Sequence, residues 1–128
     1  MASNVVSDNF ETSSGAVPEL GGADRQSQWC KAWVNFNGTG TVAIRDSFNV
    51  SSITDYGTGK HTVNFTTNFA NSNISVMGHI NYSQALNSGH SIYCSSNYYA
   101  TNKVDVFARS YSGTFYDCNA VSVQVFSN

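Results

Sequence analysis

The amino-acid sequence predicts an all-β fold, an antiparallel β-sandwich or jelly roll of about eight strands, preceded by an extended N-terminal arm. Three observations support this prediction. Apolar and polar residues alternate over short runs, as they do in strands with one buried face. Glycine, asparagine and other turn residues separate these runs at close intervals. No window of ten or more residues shows the apolar spacing of an amphipathic helix.

Period-2 alternation is clearest in four runs, residues 29–36, 61–66, 74–82 and 121–125. The first run ends at Asn37-Gly38, a dipeptide typical of turns with positive φ, so we expect a hairpin whose second strand starts near residue 41. That second strand continues irregularly to residue 53. Weaker strands are expected near residues 91–94, 103–108 and 114–118.

Composition limits the classes of partner. The chain has 128 residues, of which 41% are hydrophobic, enough for one folded domain with a core. Asn, Ser and Thr number 44, whereas the charged residues number 14 and form no basic stretch, so no nucleic-acid partner is expected. No apolar run reaches the length of a membrane span, and the first residues lack the pattern of a signal peptide. We expect synthesis in the cytoplasm and no insertion into a membrane.

The sequence divides into an arm, residues 1–28, and a β-sandwich domain, residues 29–128. The arm contains the chain's single proline and shows no sustained period of 2 or 3.6. It also holds four of the eight acidic residues. Its apolar residues are too few for a core and too many for a pure spacer, which predicts an anchor that folds on a partner. The anchoring residues are expected to be Val5, Val6, Phe10, Val17 and Leu20.

No catalytic, cofactor or metal site is predicted, and the chain is not expected to be an enzyme. Nucleophile motifs and phosphate-binding loops are absent from the sequence. The acidic residues of the strand region are not paired in sequence: Asp46, Asp55, Asp105 and Asp117. Three cysteines without a disulfide or zinc spacing are expected to be buried thiols: Cys30, Cys94 and Cys118. The scattered histidines leave open an axial ion site made from copies of one residue in an oligomer: His61, His79 or His90.

Aromatic residues indicate two contact surfaces. Trp29 and Trp33 share the face of the first strand that is opposite its small and apolar residues, so they need cover from the arm or from a neighbouring subunit. We assign them to a subunit interface. Six of the seven tyrosines lie in the last 47 residues among Asn and Ser, a composition typical of adaptable binding loops. The candidate receptor contacts in these loops are Tyr98, Tyr99 and Tyr111.

Several stretches carry a family resemblance. They are AWVNFNGTGTVAIR at residues 32–45, SFNVSSITD at 47–55, GTG at 57–59 and VNFTT at 63–67. Together they resemble a module of tail-fibre-like virion proteins of tailed bacteriophages. The closing VSVQVF, residues 121–126, is similar to the final strand of such modules, and SSGAVP, residues 13–18, is similar to their short leaders. The chain departs from the family pattern at Lys60-His61 and at residues 68–71, which we expect to be turn and surface positions.

The resemblance implies a non-enzymatic virion protein without a cofactor, made in the host cytoplasm and assembled as a homotrimer. Its partners would be other virion proteins of the tail or the capsid, and a host-surface glycan. Three functions stay open at this point. A fibre or fibre tip would contact the host through the tyrosine-rich half, and a capsid decoration protein, of the cement or head-fibre kind, would clamp capsid subunits. A carbohydrate-binding, lectin-like module would need no virion.

Overall fold

The computed structural model describes residues 29–81, 100–110 and 112–127, together with the backbone of residues 90–94. All regular secondary structure in these residues is β-strand, which confirms the all-β fold. The strands are β1 (Cys30–Asn37), β2 (Ala43–Phe48), β3 (Val50–Asp55), β4 (Lys60–Phe65), β5 (Ser75–Asn81), β6 (His90–Cys94), β7 (Lys103–Ser110) and β8 (Ala120–Phe126). The predicted arm, residues 1–28, lies outside the described residues.

The strands form two antiparallel sheets. Sheet A has the order β2-β1-β8-β5. Sheet B contains β3-β4-β7, with β6 beyond β7. Sequence neighbours such as β1 and β2 or β3 and β4 pair as hairpins, whereas β1 and β8 pair across almost the whole domain.

The inner faces of the two sheets form one hydrophobic core, as expected for a β-sandwich. Every second residue of β1, β7 and β8 is buried, because successive side chains of a strand point to opposite faces. Sheet A contributes Ala32, Val34, Phe36, Val121, Val123 and Val125, and sheet B contributes Val50, Val63, Phe65, Val104, Val106 and Ala108. The burial of alternate β1 residues confirms that Trp33 points away from the core.

The segment expected to be one irregular strand, residues 41–53, is two strands in different sheets. The chain turns at Asn49, which has a φ of 54°. Its side-chain Nδ2 donates to the Lys31 carbonyl at 3.1 Å, and its Oδ1 accepts from the Thr67 amide at 2.7 Å. Asparagine tolerates this left-handed backbone better than most residues, so Asn49 allows the crossing from sheet A to sheet B.

The strand expected at residues 114–118 is wrong. This segment is irregular and forms only an isolated bridge between Arg109 and Phe115. Its polar groups serve other contacts: the Asp117 carboxylate accepts from the Gly59 amide at 2.8 Å, and the Tyr116 amide donates to the Ala108 carbonyl at 3.0 Å. These bonds hold the segment against Gly59 and the end of β7.

The β1–β2 hairpin is confirmed, but its predicted turn geometry is wrong. The positive φ, 60°, falls at Gly40 rather than at Gly38. Gly38 lies instead at a crowded position, where a Cβ would be 3.1 Å from both the Cys118 carbonyl oxygen and the His61 ring. The Gly38 amide donates to that same carbonyl at 2.9 Å and closes this end of the sandwich.

Candidate functional site

The outer face of sheet A carries a row of large side chains that crosses all its strands. Antiparallel register places Phe48 opposite Trp33, Trp33 opposite Gln124, and Gln124 opposite Met77. Cross-strand partners point to the same side of a sheet, so these four side chains share one face. Phe48 is 55% exposed and Met77 60%, at opposite edges of the sheet, and Trp33 is half-buried between them.

Two further aromatic residues extend this row toward the start of β1. Phe126, at the end of β8, alternates with the buried Val125 and is half-buried. Trp29 directly precedes β1 and is 53% exposed. We call Trp33, Phe48, Met77 and Phe126 the apolar band. Gln124 lies between Trp33 and Met77 in this band. Several solvent-exposed apolar side chains on one sheet face are typical of surfaces that bind another protein.

A second, polar row lies beside the apolar band on the same face. Its members, again related by register, are Asp46, Asn35, Ser122 and His79. Asn35 Nδ2 donates to Ser122 Oγ at 2.8 Å, and Arg45 Nη1 donates to Asn35 Oδ1 at 3.2 Å. The Arg45 guanidinium also donates to the carbonyls of Phe36 and Asn119. The centre of the polar row is therefore hydrogen-bonded, while Asp46 and His79 are exposed at its two ends.

The two rows meet in a shallow depression over β5 and β8. It is lined by Met77, Gly78, His79, Ser122 and Gln124. A thioether, an imidazole, a hydroxyl and an amide thus lie together at this edge of sheet A. The depression is open to solvent and continues the face described above, so it belongs to the same surface.

The outer face of sheet B is built differently. Asn64 Nδ2 donates to Thr54 Oγ1 at 2.9 Å and to Ser52 Oγ at 3.1 Å, and Thr62 Oγ1 donates to the Asp105 carboxylate. These polar side chains satisfy one another across β3, β4 and β7. Their packing is close enough that Thr62 is only 2% exposed.

Aromatic residues on the sheet B side are covered by the chain itself. The Phe115 ring, from the segment after β7, lies edge-on to Phe107 with 6.1 Å between ring centroids. Lys60 Nζ lies 4.7 Å from the centroid of Phe115, within reach of a cation–π interaction. Among the described residues, Phe107 and Phe115 therefore already have partners within one copy of the domain.

His61 occupies the interior of the sandwich. It is 2% exposed, its ring lies edge-on to Phe36 with 5.2 Å between centroids, and its Nε2 has no hydrogen-bond partner. Burial lowers the pKa of His61, against the opposing effect of the Asp55 and Asp117 carboxylates. Both carboxylates accept hydrogen bonds from glycine amides, Asp55 from Gly57 and Asp117 from Gly59, each at 2.8 Å. His61 is thus an interior residue, and the expectation that Lys60-His61 is a turn or surface position is wrong for His61.

The other two histidines lie apart from His61 or outside the described residues. His79 is exposed on sheet A, and the side chain of His90 lies outside the described residues. Within the part of the chain that the structure describes, no three His, Cys, Asp or Glu residues form a group that could hold a metal ion. Cys118 is buried as predicted. Its burial raises the pKa of its thiol, and the negative charge of the nearby Asp117 raises it further. Cys30 is half-buried, and the side chain of Cys94 lies outside the described residues.

The predicted contact residues divide into two groups. Trp33 lies on the outer face of sheet A, and Trp29, directly before β1, is 53% exposed. The predicted receptor contacts Tyr98, Tyr99 and Tyr111 fall outside the described residues. So do the predicted anchors, Val5, Val6, Phe10, Val17 and Leu20.

Sequence reasoning missed Phe48 and Met77. Neither residue stands out within its own stretch of sequence. The signal that unites them with Trp33 is the register through β8, which joins strands far apart in the sequence. Alternation within one strand carries no information on that register.

The fold and this surface define an all-β sandwich domain with one polar, internally bonded outer face and one partly apolar outer face. Comparisons of the chain with protein-family models, with curated proteins and with solved structures find no match. None of the described residues forms a helix with the length and hydropathy of a membrane span.

Proposed function

We propose that the protein is a non-enzymatic structural protein of a bacteriophage virion, a fibre or fibre tip that contacts the host surface. The family resemblance of residues 32–67 supports the virion assignment. The observation that carries the proposal is the outer face of sheet A, which displays the apolar band at its surface. A protein that acts through assembly needs such a surface, whereas a stand-alone enzyme does not.

In this proposal the protein is a homotrimer joined through sheet A, with Trp33 in the interface and Trp29 beside it. Interfaces are enriched in aromatic residues and methionine relative to the remaining surface, and the apolar band has this composition. The sheet B face, whose polar side chains bond one another, would remain in solvent. The arm, residues 1–28, would attach the trimer to other virion proteins, and Tyr98, Tyr99 and Tyr111 would meet a host glycan.

The finer description of the fold is also part of the proposal: a jelly roll of eight strands. Three features support it. The chain passes from one sheet to the other four times, between β2 and β3, β4 and β5, β5 and β6, and β7 and β8. The first and last strands pair at the centre of sheet A. All paired strands are antiparallel, as in jelly rolls.

The experiment that tests the virion role is immunogold labelling of intact particles with an antibody against residues 29–128. Labelling on tail fibres is expected. Labelling spread over the head would favour the capsid decoration function, and unlabelled particles with a glycan-binding free protein would favour the lectin-like one.

Arm deletion tests the proposed attachment. A protein lacking residues 1–26 should fold and self-associate like the full chain, because β1 starts at Cys30. It should be missing from assembled particles, as measured by quantitative mass spectrometry of purified virions. Incorporation at the normal copy number would place the anchor in the β-sandwich instead.

A further inference from the structure

We propose that neighbouring copies meet with the β2 side of one sheet A against the β5 side of the next, about an axis parallel to the strands. Phe48 then packs on Met77 of the neighbouring copy, and Asp46 pairs with His79 of that copy. This inference rests on the proposed self-association through sheet A and adds its residue pairing.

The two edges of sheet A carry different side chains at matching levels. The register that links Phe48 to Met77 through Trp33 and Gln124 puts these two residues at one level, that is, at the same position along the strand direction. The register that links Asp46 to His79 through Asn35 and Ser122 puts that pair at the next. The β2 edge therefore presents an aromatic ring and a carboxylate, and the β5 edge presents a thioether and an imidazole at the same heights.

Rotation about an axis parallel to the strands preserves these heights. In a closed ring with sheet A facing the axis, the β2 half of one copy contacts the β5 half of the next. Each row then meets the corresponding row of its neighbour. The same operation leaves Trp29 of every copy at the same end, so all arms leave toward one attachment site. An axis perpendicular to the strands, within the plane of the interface, would send the arms in opposite directions.

The pairs formed in this way are chemically complementary. Methionine sulfur packs favourably against aromatic rings, which suits Phe48 and Met77. A carboxylate accepts a hydrogen bond from either protonation state of imidazole and gains further when the ring is charged, which suits Asp46 and His79. Pairing of like edges would instead bring two Asp46 carboxylates together, an unfavourable contact in an interface.

Neighbouring charges on the β2 side leave Asp46 available for this contact. Arg45 is turned toward Asn35 and the carbonyls of Phe36 and Asn119, rather than toward Asp46. One carboxylate oxygen of Asp46, Oδ1, accepts from the Ser47 amide at 2.9 Å, and the residue as a whole is exposed. On the β5 side, the described residues that line the depression with His79 are uncharged.

A charge-swap experiment tests the pairing. His79→Asp puts two carboxylates in contact, and Asp46→His puts two imidazoles in contact, so each single variant should weaken self-association about tenfold. The double variant Asp46→His/His79→Asp restores the pair in reverse and should return the dissociation constant to within about threefold of the wild-type value. Light scattering over a concentration series measures all four proteins. Asn68→Asp, which adds the same charge to an exposed loop residue, is the matched control and should leave the association unchanged.

The outcomes separate this inference from the function on which it rests. If the full chain assembles and the double variant stays as weak as the singles, the Asp46–His79 pairing is overturned while self-association stands. If the full chain is a monomer at micromolar concentration, both the pairing and the proposed assembly are overturned. Circular dichroism on each variant confirms that a lost association is not a lost fold.

Discussion

The two outer faces of this sandwich use similar strands for opposite purposes. On sheet B, polar side chains bond across the strands, and Phe107 is covered by Phe115 from the same chain. On sheet A, Phe48 and Met77 keep more than half of their surfaces in solvent. The difference shows that an exposed sheet face can be completed within one copy or left for a partner.

Hydrogen bonding explains why the polar face can remain in water. Each bonded Ser, Thr or Asn side chain gains modest stability, about 1 kcal/mol, and loses little when its remaining groups are solvated. Exposed rings and thioethers gain nothing from water, but their burial against a partner contributes about 25 cal/mol per Å². The polar side chains of sheet B are thus satisfied within the single domain, and we propose that association buries the apolar band of sheet A.

The largest expected effect concerns the contacts that hold the end of sheet B. Gly59 has a φ of 66°, and a Cβ there would lie 2.5 Å from the Ala108 carbonyl oxygen and 2.8 Å from the Tyr116 amide nitrogen. Gly59→Ala should lower the free energy of unfolding by more than about 3 kcal/mol, measured by urea denaturation. Gly57→Ala is the control, because its φ is also positive but no atom lies within 4 Å of the added Cβ. Equal losses in the two variants would show that backbone strain alone matters.

A pair of adjacent β1 residues separates folding from association. Val34 is 1% exposed in the core, so Val34→Ala should destabilise the fold by about 2 kcal/mol and leave the affinity between copies nearly unchanged. Trp33→Ala should instead abolish association at micromolar concentration, because Trp33 lies at the centre of the apolar band. Trp33→Ala should also lower the free energy of unfolding, because the indole that it removes is half-buried. Urea denaturation and light scattering measure the two effects, and an oligomer that survives Trp33→Ala would remove Trp33 from the interface.

Acidification should weaken both sheets together, because His61 lies between them. Burial lowers the pKa of His61 below its usual 6.5, so the unfolded chain binds this proton at a higher pH than the folded chain does. Stability should be unaffected by this group at higher pH and should fall as the pH drops through about 6.5, by at most about 1.4 kcal/mol per pH unit. His61→Gln should flatten that slope, and Asn68→Gln, which puts the same side chain at an exposed loop position, should not. Thermal unfolding from pH 8 to pH 5 makes the measurement.

The smallest effect is expected on the outer face of sheet B. Asn64→Ala removes the bonds to Thr54 and Ser52 and should cost about 1 kcal/mol of folding stability. Because this face is proposed to remain in solvent, the mass of the oligomer should not change. A variant that folds normally but dissociates would move part of the interface to sheet B.

Much of the fold follows from local sequence patterns. Alternation in residues 30–36 and 121–125 correctly separates inner from outer side chains, since a strand has only two faces. The break at Asn49 could not be predicted in the same way, because the left-handed residue is held by partners in two distant segments. Residues 114–118 alternate weakly like a strand, yet Asp117 and Tyr116 bond to other parts of the chain.

The candidate site was only partly predictable for a related reason. Trp33 could be placed on an outer face from its own strand. Phe48 and Met77 join it only through the register of β1 with β2 and of β8 with β5, which no single run encodes. Likewise, Asp55 and Asp117 are 62 positions apart in the sequence and come close to His61 only in the folded structure.

The central claim, that sheet A is the face through which copies associate, is tested most directly by one mass measurement. Multi-angle light scattering on the full chain and on Phe48→Asp, at the same micromolar concentration, compares an intact apolar band with one that carries a charge at its exposed edge. We expect about three times the chain mass of 13.8 kDa for the full chain and 13.8 kDa for the folded variant. An unchanged oligomer mass in Phe48→Asp would contradict the account.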